Sequence, residues 1–240
     1  MASELFQNSK VFNEKHKILE RFIYGLVKGL ANSLLIVGEQ GIGKTELVLK
    51  TLRNVGLEEG RNFLYVQNYL TPLSLYQLLQ RVNELENPRI IVLDDIEETI
   101  NNQKSLGIFK GALWSLPNGK REVCWYSTTS KIKVKKFEFK GRIIFILNSL
   151  KLKNSLVKAL IDRGFFYNIQ LTNREKLELI KQKAKEPYAN LTYSQRMKVV
   201  ECLMKYGKNS KKLSLRILPK AYNLFILSPN HYQKLIRELL

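Results

Sequence analysis

Eight consecutive residues limit what this chain can be more than anything else in it. Gly38-Glu39-Gln40-Gly41-Ile42-Gly43-Lys44-Thr45 fits the pattern GxxxxGK[ST], in which glycines let the backbone curl until successive N–H groups face an anion. The flanks support that meaning. Ser33–Val37 is a short apolar run that reads as a buried parallel strand, and Lys44–Asn54 reads as a helix ending near Gly56. A glycine loop between strand and helix sets the helix N-terminus, with its partial positive charge, against a phosphate. Lys44 is then placed for the outer phosphates of a nucleoside triphosphate, and the Thr45 hydroxyl for Mg²⁺. The whole octet is the candidate nucleotide-binding segment.

The same rhythm continues downstream. Strands are expected over Asn62–Val66, Arg89–Leu93, Arg142–Leu147 and Phe165–Leu171. Helices are expected over Thr71–Val82, with Thr71 as cap and Pro72 in the first turn, and over Gln103–Trp114 and Ser155–Ile161. Strands alternating with helices predict a five-stranded parallel sheet covered on both faces, hence an α/β fold. After Leu171 the strand signals stop. Helices follow over Asn173–Lys185 and Tyr193–Tyr206, and Ser228-Pro229 reads as the opening of a last helix through Leu240. This places a boundary near residue 172, between an α/β core (1–172) and a small helical lid (173–240). The third strand ends in Asp94-Asp95. An acid at that strand end, about 45 residues after a phosphate loop, suits Mg²⁺ (Asp94) and the polarisation of an attacking water (Asp95). Glu97 and Glu98 follow closely enough to share the second role.

With these residues in view the chain resembles an AAA+ P-loop ATPase over nearly its whole length. The resemblance rests on the GxxGxGKT loop, the apolar-Asp-Asp strand and the helical lid. It implies ATP and Mg²⁺ as cofactors, held between core and lid. Asn148, closing the strand Ile143–Leu147, matches the sensor-1 residue that orients the lytic water. Arg163, in Ala159-Leu160-Ile161-Asp162-Arg163-Gly164, resembles the arginine finger given to a neighbouring subunit's nucleotide. Arg216, in Leu213-Ser214-Leu215-Arg216, resembles the sensor-2 arginine, with Pro219 following it closely. A guanidinium in either place stabilises charge on a transferring phosphoryl group. The chain departs from the family in one respect: many members carry Asp-Glu where this one has Asp94-Asp95, which shortens the candidate base. Self-association into a ring or spiral in the presence of ATP is implied. Adenine contacts are expected from the segment around Val11–Ile18.

Charge directs attention to the second half. The formal net charge is +19, and residues 121–240 hold 26 basic and 8 acidic side chains against 14 and 13 in residues 1–120. Such asymmetry suggests a polyanionic partner for one region. Arg121–Ser127 and Lys131–Phe139 read as two strands joined through Ser127-Thr128-Thr129-Ser130, an insertion before the fourth sheet strand. It resembles the β-hairpin that precedes sensor 1 in AAA+ and superfamily 3 viral helicases, which lines a ring's pore and can grip DNA. Lys131, Lys133 and Lys135 alternate with Ile132 and Val134, so their ammonium groups share one face, and Lys136 adds a fourth charge. Two readings stand: a sequence-independent phosphate grip, or an edge strand that lysines protect from aggregation. Trp125 and Tyr126 likewise suit either base stacking or core packing.

No apolar stretch approaches the ~18–20 residues that span a bilayer, and the N-terminal MASELFQNSK lacks the apolar centre of a signal peptide. Cys124 and Cys202 form no metal pattern and read as reduced thiols of a cytoplasmic protein. The expectation is an AAA+ ATPase working on DNA, in replication or a related transaction, as a helicase-like motor, helicase loader or initiator-type ATPase. Its partners would be DNA and a replication helicase or initiator, in the manner of virus and plasmid ATPases. The alternatives are a STAND-like regulatory nucleotide switch and a protein-remodelling AAA+ unit acting on a protein partner.

Overall fold

The computed structural model describes residues 14–126, 134–149 and 155–240. Its first element is helix α1 (Glu14–Val27). There Leu19, Ile23 and Leu26 are fully buried, a spacing that gives one apolar stripe on a helix. Then come β1 (Ser33–Gly38), α2 (Lys44–Asn54), β2 (Phe63–Gln67), α3 (Pro72–Glu84) and β3 (Ile90–Asp94). A short α4 (Glu97–Asn101) precedes α5 (Gln103–Leu113), and the small pair β4 (Glu122–Cys124) and β5 (Lys136–Glu138) follows. β6 (Arg142–Leu147), α6 (Ser155–Arg163) and β7 (Phe165–Ile169) complete the α/β part. Four helices remain: α7 (Asn173–Lys183), α8 (Tyr193–Tyr206), α9 (Ile217–Leu227) and α10 (Tyr232–Leu239).

The five long strands form one parallel sheet in the order β2-β3-β6-β1-β7. Every residue of β1 and β3 is buried, as a central strand covered on both faces requires. Leu35, Val37, Ile91, Leu93, Ile143 and Phe145 pack with Leu75, Leu79, Phe109 and Ala112 of the helices into one apolar cluster. At about 25 cal/mol per Å² this burial is the main favourable contribution to folding. Local chemistry sets the helix ends. The Thr71 hydroxyl accepts from Ser74 N at 3.1 Å, with Pro72 in the first turn, and Asn102 caps α5 through Lys104 N and Ser105 N.

Two expectations change. Ser228 ends α9 instead of opening a helix, its N–H donating to Leu224 O at 3.0 Å, and α10 starts at Tyr232. The apolar side chains Leu218, Ala221, Tyr222 and Phe225 are buried along α9 and carry the helix up to that point. Pro219 causes no break, because it lies in the first turn, where N–H groups have no intrahelical acceptor. Among the described residues, the strands of the expected hairpin are three residues each, β4 and β5. Residues 127–133, which include Lys131 and Lys133, lie outside the described residues.

By its contacts the chain divides into two compact units. One comprises Leu19–Gly38 and Lys44–Ile169; the other comprises the described residues up to Ile18, Glu39–Gly43 and Gln170–Leu240. In the second unit, α7 opens with a full capping box. The Thr172 hydroxyl accepts from Glu175 N, and the Glu175 carboxylate accepts from Thr172 N at 2.7 Å. Thr192 and Gln195 repeat the device at α8. Among the described residues no helix is long and apolar enough to cross a membrane.

Candidate nucleotide site

Parallel strands deliver their last residues to one edge of the sheet, and strand order decides which of them become neighbours. β3, β6 and β1 lie side by side, with Asp94 opposite Ile146 and Val37 opposite Leu147. Asp94, Asn148 and the end of β1 at Gly38 therefore meet at the carboxyl edge, where open α/β sheets bind ligands.

Side-chain contacts join them. Lys44, first residue of α2, is buried, and its Nζ donates to Gly38 O at 2.7 Å and to Asn148 Oδ1 at 3.1 Å. A buried ammonium needs such acceptors. Thr45 Oγ1 donates to Asp94 Oδ2 at 2.6 Å, and Tyr65 Oη donates to the same oxygen at 3.1 Å. Burial pushes the Asp94 carboxyl up and the adjacent Asp95 charge adds to this, while the Thr45 and Tyr65 hydroxyls and the Lys44 ammonium oppose it. The Tyr65 phenol is pushed up to about 12, by burial first and then by the Asp94 carboxylate.

Asp95 sits at φ +53°, a left-handed conformation that non-glycine residues seldom take and that recurs at functional sites. Its N–H donates to Ile146 O at 3.2 Å. Its carboxylate accepts from Asn148 Nδ2 at 2.5 Å and from Gln67 Nε2 at 3.3 Å. Asn148 thus bridges Lys44 and Asp95 through its two amide ends. Glu97 is engaged otherwise, its Oε1 accepting from Asn148 N at 3.0 Å, and Glu98 is exposed. The sequence pattern alone does not single out Tyr65 or Gln67. Their signal is a polar pair two apart at the end of a strand, so that both point to one face. It acquires meaning only once β2 is known to pair with β3, with Gln67 opposite Asp94.

The unit that contains Glu39–Gly43 makes its own contacts with this loop. Gly41 and Gly43 adopt φ +72° and +85°, which glycine alone reaches without strain. Leu215 N donates to Gly41 O at 2.8 Å. A β-carbon on Gly41 would stand 3.0 Å from Ser214 Cβ and 3.4 Å from Arg216 Cδ, so the segment carrying Arg216 lies directly on the loop. Arg216 is exposed at the N-terminal boundary of α9. Lys176, a residue the sequence does not mark, is buried on α7 and pairs with Glu39 at 2.6 Å. Of the segment Val11–Ile18, the described part begins α1, and Lys15 Nζ donates to Gln170 O and to Glu175.

Arg163 occupies the last turn of α6 and makes no hydrogen bond to the Lys44–Asn148–Asp95 group; its guanidinium lies 5.0 Å from the Trp114 ring centroid. At the hairpin, Val123 pairs with Phe137 and Trp125 N donates to Lys135 O. Trp125 packs against Tyr76, with ring centroids 5.7 Å apart, whereas Tyr126 is 83% exposed. Structure therefore separates two aromatics that are equivalent in sequence. Lys135 is exposed, and Lys136 is held by Glu122 at 2.6 Å.

Comparison with known proteins agrees with this architecture. No family model matches the chain. It is 26% identical over 190 residues to an uncharacterized 36.7 kDa protein from the nrdC–mobD intergenic region of Enterobacteria phage T4. That match covers 73% of this chain, and the chain spans only 57% of the phage protein's length. Two variants of Thermotoga maritima RuvB superpose with TM-scores of 0.58 and 0.59 at 13% and 14% identity. These cover 97% and 93% of this chain and 71% and 68% of theirs. A DNA replication initiation factor superposes with a TM-score of 0.50 at 16% identity, over 92% of this chain and 66% of that one. The chain thus shares the fold of these solved structures, an α/β unit with a five-stranded parallel sheet and a C-terminal helical region.

Proposed function

We propose that this chain binds and hydrolyses ATP and couples the cycle to work on DNA, within an ATP-dependent assembly of identical subunits. The observation that carries the reading is the continuous contact set at one sheet edge: Thr45 to Asp94, Lys44 to Asn148, and Asn148 to Asp95. In this reading residues 1–172 are the nucleotide-binding core and 173–240 the lid.

The backbone N–H groups of Gly38–Thr45 cradle the phosphates, and Lys44 moves its ammonium from Gly38 O to the outer phosphates. Thr45 and Asp94 present a hydroxyl and a carboxylate, the hard oxygen ligands that Mg²⁺ prefers. When bound, that ion would neutralise charge on the phosphates. Asp95, aimed by Asn148 and Gln67, accepts the proton of the attacking water. Its single-methylene side chain has less reach than a glutamate, and the left-handed backbone at Asp95 is what turns the carboxylate toward Asn148. Arg163 acts on the nucleotide of a neighbouring subunit and Arg216 on that of its own.

The DNA assignment draws support from the clustered charge of the second half, from the lysines of the inserted hairpin, and from neighbours that include a DNA replication initiation factor. The roles of helicase-like motor, helicase loader and initiator-type ATPase all fit it. Lys44→Ala should remove ATP binding measured by calorimetry and abolish turnover. Unaltered turnover would refute the nucleotide assignment. Single- or double-stranded DNA at low salt should raise the ATPase rate of the native chain several-fold. An unchanged rate with both would favour a regulatory switch acting on a protein.

A further inference from the structure

Arg163 is fixed from two directions. Gly164, the next residue, approaches β1 so closely that a β-carbon there would collide with Ser33 Oγ and stand 2.9 Å from Ser33 O. The backbone carrying Arg163 therefore cannot drift from the sheet without breaking that contact. The side chain is exposed, and among the described residues no carboxylate pairs with it. It meets Trp114, the residue that ends α5, with its guanidinium carbon 5.0 Å from the ring centroid. Trp114 is itself half-buried, and its N–H donates to Lys110 O at 3.0 Å. Lys110 Nζ also lies 5.3 Å from the same ring, so the indole gathers two cations.

Stacking uses only the face of a guanidinium. Its N–H donors lie in the plane at the edge and stay free for phosphate oxygens. A free surface arginine would have to be ordered anew at each encounter, whereas one resting on a fixed indole is already ordered. We propose that Trp114 is a positioning residue for Arg163, holding the guanidinium by its face so that its edge meets the phosphates of a nucleotide bound to a second copy of this chain. This rests on the reading of Arg163 as a residue acting on a neighbouring subunit's nucleotide. Lys110 adds a second positive charge to the same surface, which suits a polyphosphate and not a cationic partner.

The test uses the full chain at concentrations that assemble, with saturating ATP and Mg²⁺. Trp114→Ala should lower kcat by about 3- to 30-fold with the KM for ATP held within about twofold, and Trp114→Phe should restore most of the loss. Mixing Trp114→Ala with Asp95→Asn should recover turnover, since each subunit then supplies what its neighbour lacks. A kcat for Trp114→Ala that is unchanged or raised overturns the proposal, as does a loss that phenylalanine does not rescue or a mixture no more active than the Trp114→Ala subunits it contains. A second measurement does not depend on the alanine variant folding. In a Trp125→Phe background Trp114 is the sole tryptophan. Its emission should respond both to Arg163→Ala and to assembly with a non-hydrolysable ATP analogue; no response to either refutes the contact. Failure of the underlying reading looks different: Arg163→Ala itself would then hydrolyse ATP at the native rate. If Arg163→Ala is dead and Trp114→Ala normal, only the positioning role is lost.

Discussion

At the scale of single residues, the candidate site depends on one amide. Asn148 accepts from Lys44 with its oxygen and donates to Asp95 with its nitrogen, so it links the lysine proposed to hold phosphate to the carboxylate proposed to activate water. Replacing it by alanine leaves each partner without its bridge while keeping the loop and Asp94 intact. Asn148→Ala should lower kcat by about 10- to 100-fold, equivalent to about 1.4–2.7 kcal/mol of transition-state stabilisation. Nucleotide affinity should stay within a few-fold. Steady-state kinetics alongside calorimetry would check it, and a loss confined to binding would exclude the bridging role. Asn148 is visible in the sequence as a polar residue closing an apolar strand. Tyr65 and Gln67 are not, because their importance comes from a strand that only the sheet order places beside Asp94.

At the scale of elements, helix ends and strand edges carry the argument. The capping box of α7 satisfies two backbone donors reciprocally through Thr172 and Glu175. Thr172→Ala should destabilise the protein by about 0.5–2 kcal/mol, read as a lower thermal midpoint, while Thr172→Ser should be nearly neutral. Equal losses in both would remove the capping explanation. The hairpin is the second such element. Lys136 is paired with Glu122, so among the described lysines there Lys135 is the better placed to meet phosphate. Replacing Lys131, Lys133 and Lys135 together by alanine should weaken DNA binding and flatten its dependence on salt. The log–log slope should fall by close to one unit for each phosphate that the hairpin ceases to neutralise. An unchanged slope would leave those lysines as protection for a strand edge.

At the scale of the whole molecule, charge governs the response to pH. The chain carries +19 at neutrality, and each carboxylate protonated in acid adds to the self-repulsion of a surface already strongly positive. Glu175 resists this. Burial pushes its carboxyl up, but the Thr172 N–H, the Lys15 ammonium and the Thr172 hydroxyl together outweigh burial and hold it at about 2, below the ordinary 4.5. A carboxyl depressed in the folded state stabilises fully above its unfolded pKa, and that contribution fades as pH falls toward the folded one. The gap in thermal midpoint between the native protein and Glu175→Gln should therefore be constant above about pH 5.5 and close between about pH 4.5 and 2. A gap independent of pH would show that the ion pair and cap contribute nothing through charge.

Local pattern was enough for much of the fold. β1, α2, β6 and α8 occupy the residues that apolar runs and periodicity mark out, because burial of a strand or a helix stripe is written in consecutive residues. The glycine loop, Asp94-Asp95 and Asn148 were legible for the same reason: each is a local signature at a strand end. Three things depended on tertiary structure. Strand order made neighbours of Gln67, Asp95 and Asn148, residues 28 and 53 positions apart along the chain. Packing distinguished Trp125, laid on Tyr76, from the exposed Tyr126 beside it. Packing also brought Trp114 under Arg163 and Lys176 to Glu39. Contacts of that kind join segments distant in sequence, and their partners are chosen by how elements pack, which no local pattern encodes.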